Sequence, residues 1–107
     1  MVTKYNEICV FCGKPKNCSH HLISGKGLRK LADEDSLIIP CCDLHHNLAS
    51  KPEDKIHENP RAEDLSKMLG QVCWEKHYIA LKCEIPFDDL EEEAREKFRE
   101  RYGISFL

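Results

Sequence analysis

The sequence predicts an α+β protein, in which a strand–loop–strand–helix unit with a metal-binding knuckle precedes two helices. Three observations favour this class. Seven cysteines and six histidines stand in 107 residues, and four of them crowd into "CCDLHH" at 41–46. Two short apolar segments flank a polar stretch that contains glycines. Two longer C-terminal segments repeat apolar residues at helical spacing.

Composition limits the organisation and the cellular setting. A chain of 107 residues, 41% hydrophobic and 33% charged, is most simply one domain, 1–107, with a small core. We expect a metal-binding core at 9–58 and a helical extension at 59–107. No segment has the roughly 20 apolar residues that a membrane span needs, and the N-terminus lacks a signal-peptide pattern. We therefore expect a cytoplasmic protein, where seven cysteines favour metal ligation over disulfides.

The first half reads as a knuckle and a short hairpin. "CVFCGKPKN" has two cysteines two residues apart, followed by a glycine and a proline that turn the chain. Apolar residues predict two strands, and Pro40 ends the second because it lacks an amide donor. The predicted order is knuckle 9–17, strand 18–23, loop 24–36, strand 37–40 and a short helix 43–50.

Two helices are predicted in the second half. Asn59 and Pro60 make a favourable helix start, at N-cap and N1 respectively, and an apolar stripe continues to about Leu81. A further helix at 88–102 has an acidic first half and a basic second half, which complement the helix dipole. Gly103 is a typical stop.

The cysteine spacing predicts a structural zinc site. Cys9 and Cys12 supply one pair of ligands, and Cys42 and His45 supply a second pair with the same two-residue separation. Two such arms can complete a tetrahedral site. Cys41 competes with Cys42, which we prefer because it makes the arms equal in length. Zinc at this site would contribute folding energy that a small core needs.

Three histidines remain for a second purpose. If His45 faces zinc, His46 points elsewhere, and His20 and His21 lie across the hairpin from it. Neighbouring strand residues point to opposite faces, so one of this pair can share a divalent cation with His46 while the other stays free. A cation beside a free imidazole is suited to phosphodiester hydrolysis, since imidazole exchanges protons near neutral pH.

Charge is unevenly distributed along the chain. The net charge is −3, yet residues 1–30 contain six basic side chains and one acidic side chain. A basic edge near the loop could hold phosphates without reading base sequence. The candidate DNA-binding residues are Lys14, Lys16, Lys26, Arg29 and Lys30.

These motifs resemble the zinc-bearing HNH endonucleases, whose core is the ββα-metal finger. The resemblance rests on Cys9-x2-Cys12, "HHLI" from His20, "LIIP" from Leu37 and Cys42-x2-His45-His46, and it covers residues 9 to about 58. Small phage-encoded members have "HHLI…G…IPLCxxHH" in this order. The tail "AREKFRERYGISFL" is similar to the C-terminal helix of some of those proteins.

The resemblance implies a DNA endonuclease with two kinds of metal ion. His20 and His46 would bind a catalytic divalent cation, such as Mg²⁺, and His21 would be the general base. Structural Zn²⁺ would occupy the cysteine-rich site. The setting that the resemblance implies is the cytoplasm of a bacterial cell, with a phage genome as one source of the gene. The implied partners are DNA, no membrane, and either a second copy of the chain or a phage DNA-processing protein.

The sequence departs from the family pattern at two positions. The motif asparagine is absent, and Asp35 or Ser36 is the nearest substitute. The position one helical turn after His46 often bears a histidine, whereas here it is Ser50. The possible additional ligands for the catalytic cation are Asn47, Ser50 and His57.

A second function from another class remains open. The missing asparagine and Ser50 favour a non-catalytic, zinc-stabilised module that binds DNA or protein. The two histidine pairs oppose it, because a pure binding module does not need them. A thiol redox protein is a weaker alternative, since it would require the Cys9-x2-Cys12 pair to be free of metal.

Overall fold

A two-stranded antiparallel sheet and three helices form the described part of the chain. The computed structural model describes residues 2–82 and 87–107, without the side chains of 87–89. The elements are β1 (Cys18–His21), α1 (Leu28–Glu34), β2 (Ile38–Cys41), a π-helix (Leu44–Leu48), a 3-10 turn (Pro52–Asp54), α2 (Pro60–Leu81) and α3 (Phe87–Tyr102). The predicted α+β class is confirmed. No helix within the described ranges is both long and apolar enough to cross a membrane.

The hairpin pairs the two predicted strands. Strand β1 is antiparallel to β2, with Ser19 opposite Pro40 and His20 opposite Ile39. The second strand includes Pro40 rather than ending there, and the Pro40 carbonyl accepts a hydrogen bond from the Val10 amide at 3.1 Å. The N-terminal turn is thereby attached to β2, which fixes the knuckle beside the sheet.

The prediction of a continuous loop at 24–36 was wrong, because α1 occupies Leu28–Glu34. Its sequence, LRKLADE, consists mainly of good helix formers. Ala32 is fully buried, and Leu28 and Leu31 pack partly against the core. The helix starts after Gly27, whose φ of 82° is readily adopted by glycine. The many polar residues of this segment made its short amphipathic pattern difficult to recognise in the sequence.

The predicted helix at 43–50 is a π-helix over Leu44–Leu48. The Ala49 amide reaches back five residues to the Leu44 carbonyl at 2.9 Å, which is the hydrogen bond of a π-turn. The following segment returns alongside it, since the Ile56 and His57 amides donate to the His45 and His46 carbonyls. This return brings His57 next to His46.

Both C-terminal helices are confirmed. Helix α2 covers Pro60–Leu81, and the Asn59 side chain accepts a hydrogen bond from the Ala62 amide at 3.2 Å. Helix α3 covers Phe87–Tyr102, and its apolar positions Leu90, Ala94 and Phe98 are buried. Gly103 follows with a φ of 80°.

Helix α2 has polar residues on its buried side and apolar residues on its exposed side. Its buried residues are Ser66, Gly70, Gln71 and Glu75, whereas Leu65, Met68, Leu69 and Val72 are exposed. The buried polar groups have partners: Gln71 donates to Glu75 and to Ser105, and Arg95 pairs with Glu75. The inward face thus combines these small and hydrogen-bonded side chains with Ala62, Cys73 and Trp74, which pack against the core, while four apolar side chains point outward.

Candidate metal centres

Four predicted zinc ligands converge beside the hairpin. We call Cys9, Cys12, Cys42 and His45 the knuckle cluster, and their ligand atoms all lie within 4.8 Å of one another. The Cys12 and Cys42 sulfur atoms are 3.9 Å apart, and His45 Nδ1 lies 3.1 Å from the Cys42 sulfur. Sulfur atoms about 2.3 Å from a tetrahedral ion are about 3.8 Å apart. The arrangement therefore fits an ion such as zinc.

The backbone turn prepares Cys9 for ionisation. Burial raises the pKa of the Cys9 thiol, but hydrogen bonds from the Phe11, Cys12 and Cys42 backbone and from the His45 ring outweigh it and lower the pKa to about 6. A thiolate is the form that binds a metal. The turn therefore stabilises the ligand state of Cys9.

The structure separates the two adjacent cysteines of "CCDLHH". Cys42 belongs to the knuckle cluster, whereas Cys41 is completely buried at the end of β2. Burial raises the pKa of the Cys41 thiol, which keeps it protonated. This placement agrees with the preference for Cys42 over Cys41.

A second group forms on the other side of the π-helix. His20, His46 and His57, the histidine cluster, have ligand nitrogens within 4.8 Å of one another. Nε2 of His46 lies 2.9 Å from Nε2 of His57, a separation that requires a proton or a cation between two lone pairs. Nitrogens at right angles around an ion about 2.1 Å away are about 3.0 Å apart. The pair therefore fits two neighbouring ligands of one cation.

His20 is held in the tautomer that a metal ligand needs. The Ser66 hydroxyl donates its single proton to the Leu22 carbonyl at 2.7 Å, so it accepts a hydrogen bond from Nε2 of His20 at 2.8 Å. Nδ1 therefore carries the lone pair, and this buried atom has no hydrogen-bond partner among the described residues. Burial, with His46 and His57 nearby, lowers the pKa of His20 to about 3. The ring stays neutral and able to bind a cation.

The other two members of the cluster are also prepared for ligation. Nδ1 of His57 lies 3.4 Å from a carboxylate oxygen of Glu63, whereas Nε2 of the same ring faces His46. Burial, and secondly the charge of His57, lowers the pKa of His46. A carboxylate behind a ligand imidazole is the usual outer partner at metal sites.

His21 lies next to the cluster but outside it. Its Nε2 is 3.1 Å from Oδ1 of Asp33 on α1, and this contact leaves Nδ1 available as a base. Asp35 has a different role, because its carboxylate accepts hydrogen bonds from Arg101 and from the Tyr102 hydroxyl. Asp33 therefore contacts His21, whereas Asp35, one of the two nearest substitutes for the motif asparagine, contacts α3 instead.

The remaining candidates lie on the surface. Asn47 and Ser50 are exposed, and neither belongs to the histidine cluster, where His57 takes the third position. The five proposed DNA-binding residues, Lys14, Lys16, Lys26, Arg29 and Lys30, are all exposed. Among them, Arg29 is close enough for its charge to contribute to the lowered pKa of His46, after burial and His57.

Three supporting residues had no signal in the sequence. Ser66, Glu63 and Asp33 contact His20, His57 and His21, respectively. The first two lie on α2, and Asp33 lies in the segment that was predicted to be a loop. The predicted helix start at Asn59 indicated only that Glu63 and Ser66 lie near the N-terminus of the same helix, and it did not indicate what they contact.

Comparisons with models of protein families, with curated proteins and with solved structures find no match to this chain. The knuckle cluster and the histidine cluster are both groups that could bind a metal ion such as zinc.

Proposed function

We propose that this protein is a metal-dependent endonuclease that hydrolyses DNA phosphodiester bonds. In this proposal the knuckle cluster binds structural Zn²⁺, and the histidine cluster binds a catalytic divalent cation. Its three imidazole ligands favour Zn²⁺ or Ni²⁺ over Mg²⁺, which prefers oxygen ligands. His21 acts as the general base. The resemblance to HNH endonucleases agrees with this assignment, and the site geometry supplies the supporting contacts.

The unpartnered Nδ1 of His20 is the observation that carries the proposal. A buried polar atom without a partner is costly unless a ligand satisfies it. Ser66 holds the opposite ring nitrogen, and the imidazoles of His46 and His57 lie beside the same ring, with centroids 5.3 Å away. Three imidazoles with converging ligand atoms support a cation site rather than a hydrophobic core.

The chain's own residues account for proton transfer and for positioning. A bound divalent cation supplies positive charge that stabilises the scissile phosphate and the departing oxygen. His21 accepts a proton from the attacking water through Nδ1, while Asp33 holds Nε2 and stabilises the imidazolium that forms. Arg29, which is exposed and close to His46, is suited to contact a neighbouring phosphate. Lys26 and Lys30 flank it in sequence and extend this basic edge.

The test is plasmid nicking by zinc-loaded protein with Mg²⁺, Mn²⁺, Ni²⁺ or EDTA. We expect cation-dependent nicking that falls about 10²–10⁴-fold in His21→Ala, because general base catalysis contributes about that factor. His57→Ala should lower the affinity for the divalent cation. His77→Ala is the matched control, since His77 is an exposed histidine on α2 outside both clusters.

The outcomes separate the two functions. Loss of nicking in His21→Ala, with zinc content and circular dichroism unchanged, would support the proposal. Unchanged nicking would contradict the role of His21. If no cation supports nicking while the folded protein still binds DNA, the chain is better described as a non-catalytic, zinc-stabilised binding module.

A further inference from the structure

The outward face of α2 is an apolar stripe without a partner in the described chain. Its residues, Leu65, Met68, Leu69 and Val72, recur at steps of three and four residues, which is the spacing of a helix–helix seam. Leu65 is 64% exposed and Val72 is 48% exposed. Contiguous apolar surface of this kind marks an interaction site.

Charged groups at the two ends of the stripe are complementary. Arg61 lies at the N-terminal end and is exposed. Near the C-terminal end, a groove of about 690 Å³ lies between α2 and α3, and its lining is of mixed charge. Arg95 and Arg99 pair with glutamates of the same groove, which leaves Glu91, Glu92 and Lys76 as its unpaired charges among the described side chains. Among the side chains that the structure describes, Arg61, Glu91 and Glu92 form no salt bridge.

Antiparallel pairing of two α2 helices satisfies both features. Around a two-fold axis, the N-terminal half of one stripe meets the C-terminal half of the other. In a seam of alternating three- and four-residue steps, Met68 then faces Val72 of the partner subunit. Arg61 falls level with Ile79 of the partner subunit, beside the groove with the two unpaired glutamates. Each chain therefore carries both the apolar stripe and the positive and negative side chains that come together in the antiparallel pair.

We propose that the protein forms a homodimer through α2, with the two helices antiparallel and Arg61 next to the unpaired Glu91 and Glu92 of the partner subunit. The occupant of the stripe is a second copy of the chain, because the complementary surface lies on the same molecule. The proposal does not depend on nuclease activity. The knuckle cluster and the histidine cluster lie outside the paired surface, which leaves the sites of both subunits free.

The experiment measures the mass of the zinc-loaded full chain by sedimentation equilibrium over a wide concentration range. We expect the mass of two chains for the wild type. The double substitution Leu65→Glu and Met68→Glu should give a monomer, because it places charges in the apolar seam. Leu81→Glu is the control, since Leu81 is 70% exposed on the same helix but lies about 160° around it from Leu65.

A charge exchange tests the antiparallel arrangement. Arg61→Glu should weaken the dimer several-fold, and adding Glu92→Arg to that variant should restore it. A wild type that remains monomeric at every concentration would overturn the proposal, as would a dimer that persists in the Leu65→Glu and Met68→Glu variant. A dimer that responds to the stripe but not to the charge exchange would overturn the antiparallel arrangement. Zinc content and circular dichroism confirm that each variant is folded.

Discussion

Ser66 fixes the tautomer of His20. Its hydroxyl proton goes to the Leu22 carbonyl, so it can only accept a hydrogen bond from Nε2 of His20. The metal-binding lone pair is thus determined by a serine on α2, 46 residues away along the chain. The same two hydrogen bonds attach α2 to the end of β1.

Ser66→Ala should therefore weaken binding at the histidine cluster. Without the acceptor, His20 can rotate or adopt the other tautomer, and we expect the affinity for a divalent cation to fall about 10–100-fold. Calorimetric titration of zinc-loaded protein with Mn²⁺ or Ni²⁺ measures this change. Ser50→Ala, at an exposed position outside the cluster, is the control. Equal affinities of the two variants would contradict the proposed role of Ser66.

Substitution of an exposed knuckle ligand should unfold the protein. Cys12 is exposed, so Cys12→Ser removes a ligand without removing core packing. Zinc binding contributes roughly 10–16 kcal/mol in small zinc domains, which matches or exceeds the 5–15 kcal/mol stability of a typical domain. We expect loss of one equivalent of tightly bound zinc and of the cooperative thermal transition. Cys18→Ser should keep both, and a folded Cys12→Ser protein would show that the metal is dispensable.

Two neighbouring aspartates should have separable effects. Asp33→Ala removes the carboxylate beside His21, and we expect nicking to fall about tenfold with little change in stability, because Asp33 is 69% exposed. Asp35→Ala breaks the contacts to Arg101 and Tyr102 and should cost about 2 kcal/mol of unfolding free energy. Nicking per folded molecule should be unchanged in the second variant. Urea denaturation and plasmid nicking of both variants provide the comparison, and an exchange of the two phenotypes would refute the assignment.

Gly70 is expected to tolerate no side chain. A Cβ at this position would lie 2.8 Å from Cγ1 of Ile23 and 3.1 Å from Cβ of Leu22. Glycine to alanine inside a helix normally stabilises by about 1 kcal/mol, whereas here we expect Gly70→Ala to destabilise by about 1–3 kcal/mol through overpacking. The sign of the change in urea midpoint decides between the two, and a gain in stability would show that α2 and β1 pack less closely than described.

Short-range patterns in the sequence were sufficient to predict the knuckle pairing and the C-terminal helices. The two-residue spacing of Cys9 with Cys12 and of Cys42 with His45 reflects the reach of a tight turn. The Asn59 cap and Gly103 stop act on their own neighbours. Such signals need no knowledge of the rest of the fold, and the predicted residues lie where these signals place them.

Contacts between distant segments could not be predicted in the same way. His57 was one of three candidate ligands, and only the return of 56–57 along the π-helix distinguishes it from Asn47 and Ser50. The contacts of Ser66 with His20 and of Asp33 with His21 depend on how α2 and α1 pack against the hairpin. The apolar residues on the outward face of α2 are spaced like those of a buried helix face. This periodicity does not show whether the surface that covers them belongs to the same chain or to another molecule.

The peptide bond between His45 and His46 joins the knuckle cluster to the histidine cluster, the two candidate metal sites. An ion bound by His45 would order the π-helix and thereby restrict the backbone that positions His46 for the other ion. The affinity of the knuckle cluster for its ion and that of the histidine cluster for its ion would therefore be thermodynamically linked. Such linkage is reciprocal: whatever factor the first ion adds to the affinity for the second, the second adds for the first. In the proposed endonuclease, loss of zinc would therefore change the cation affinity of the histidine cluster, and with it the rate of hydrolysis, without any contact between zinc and DNA.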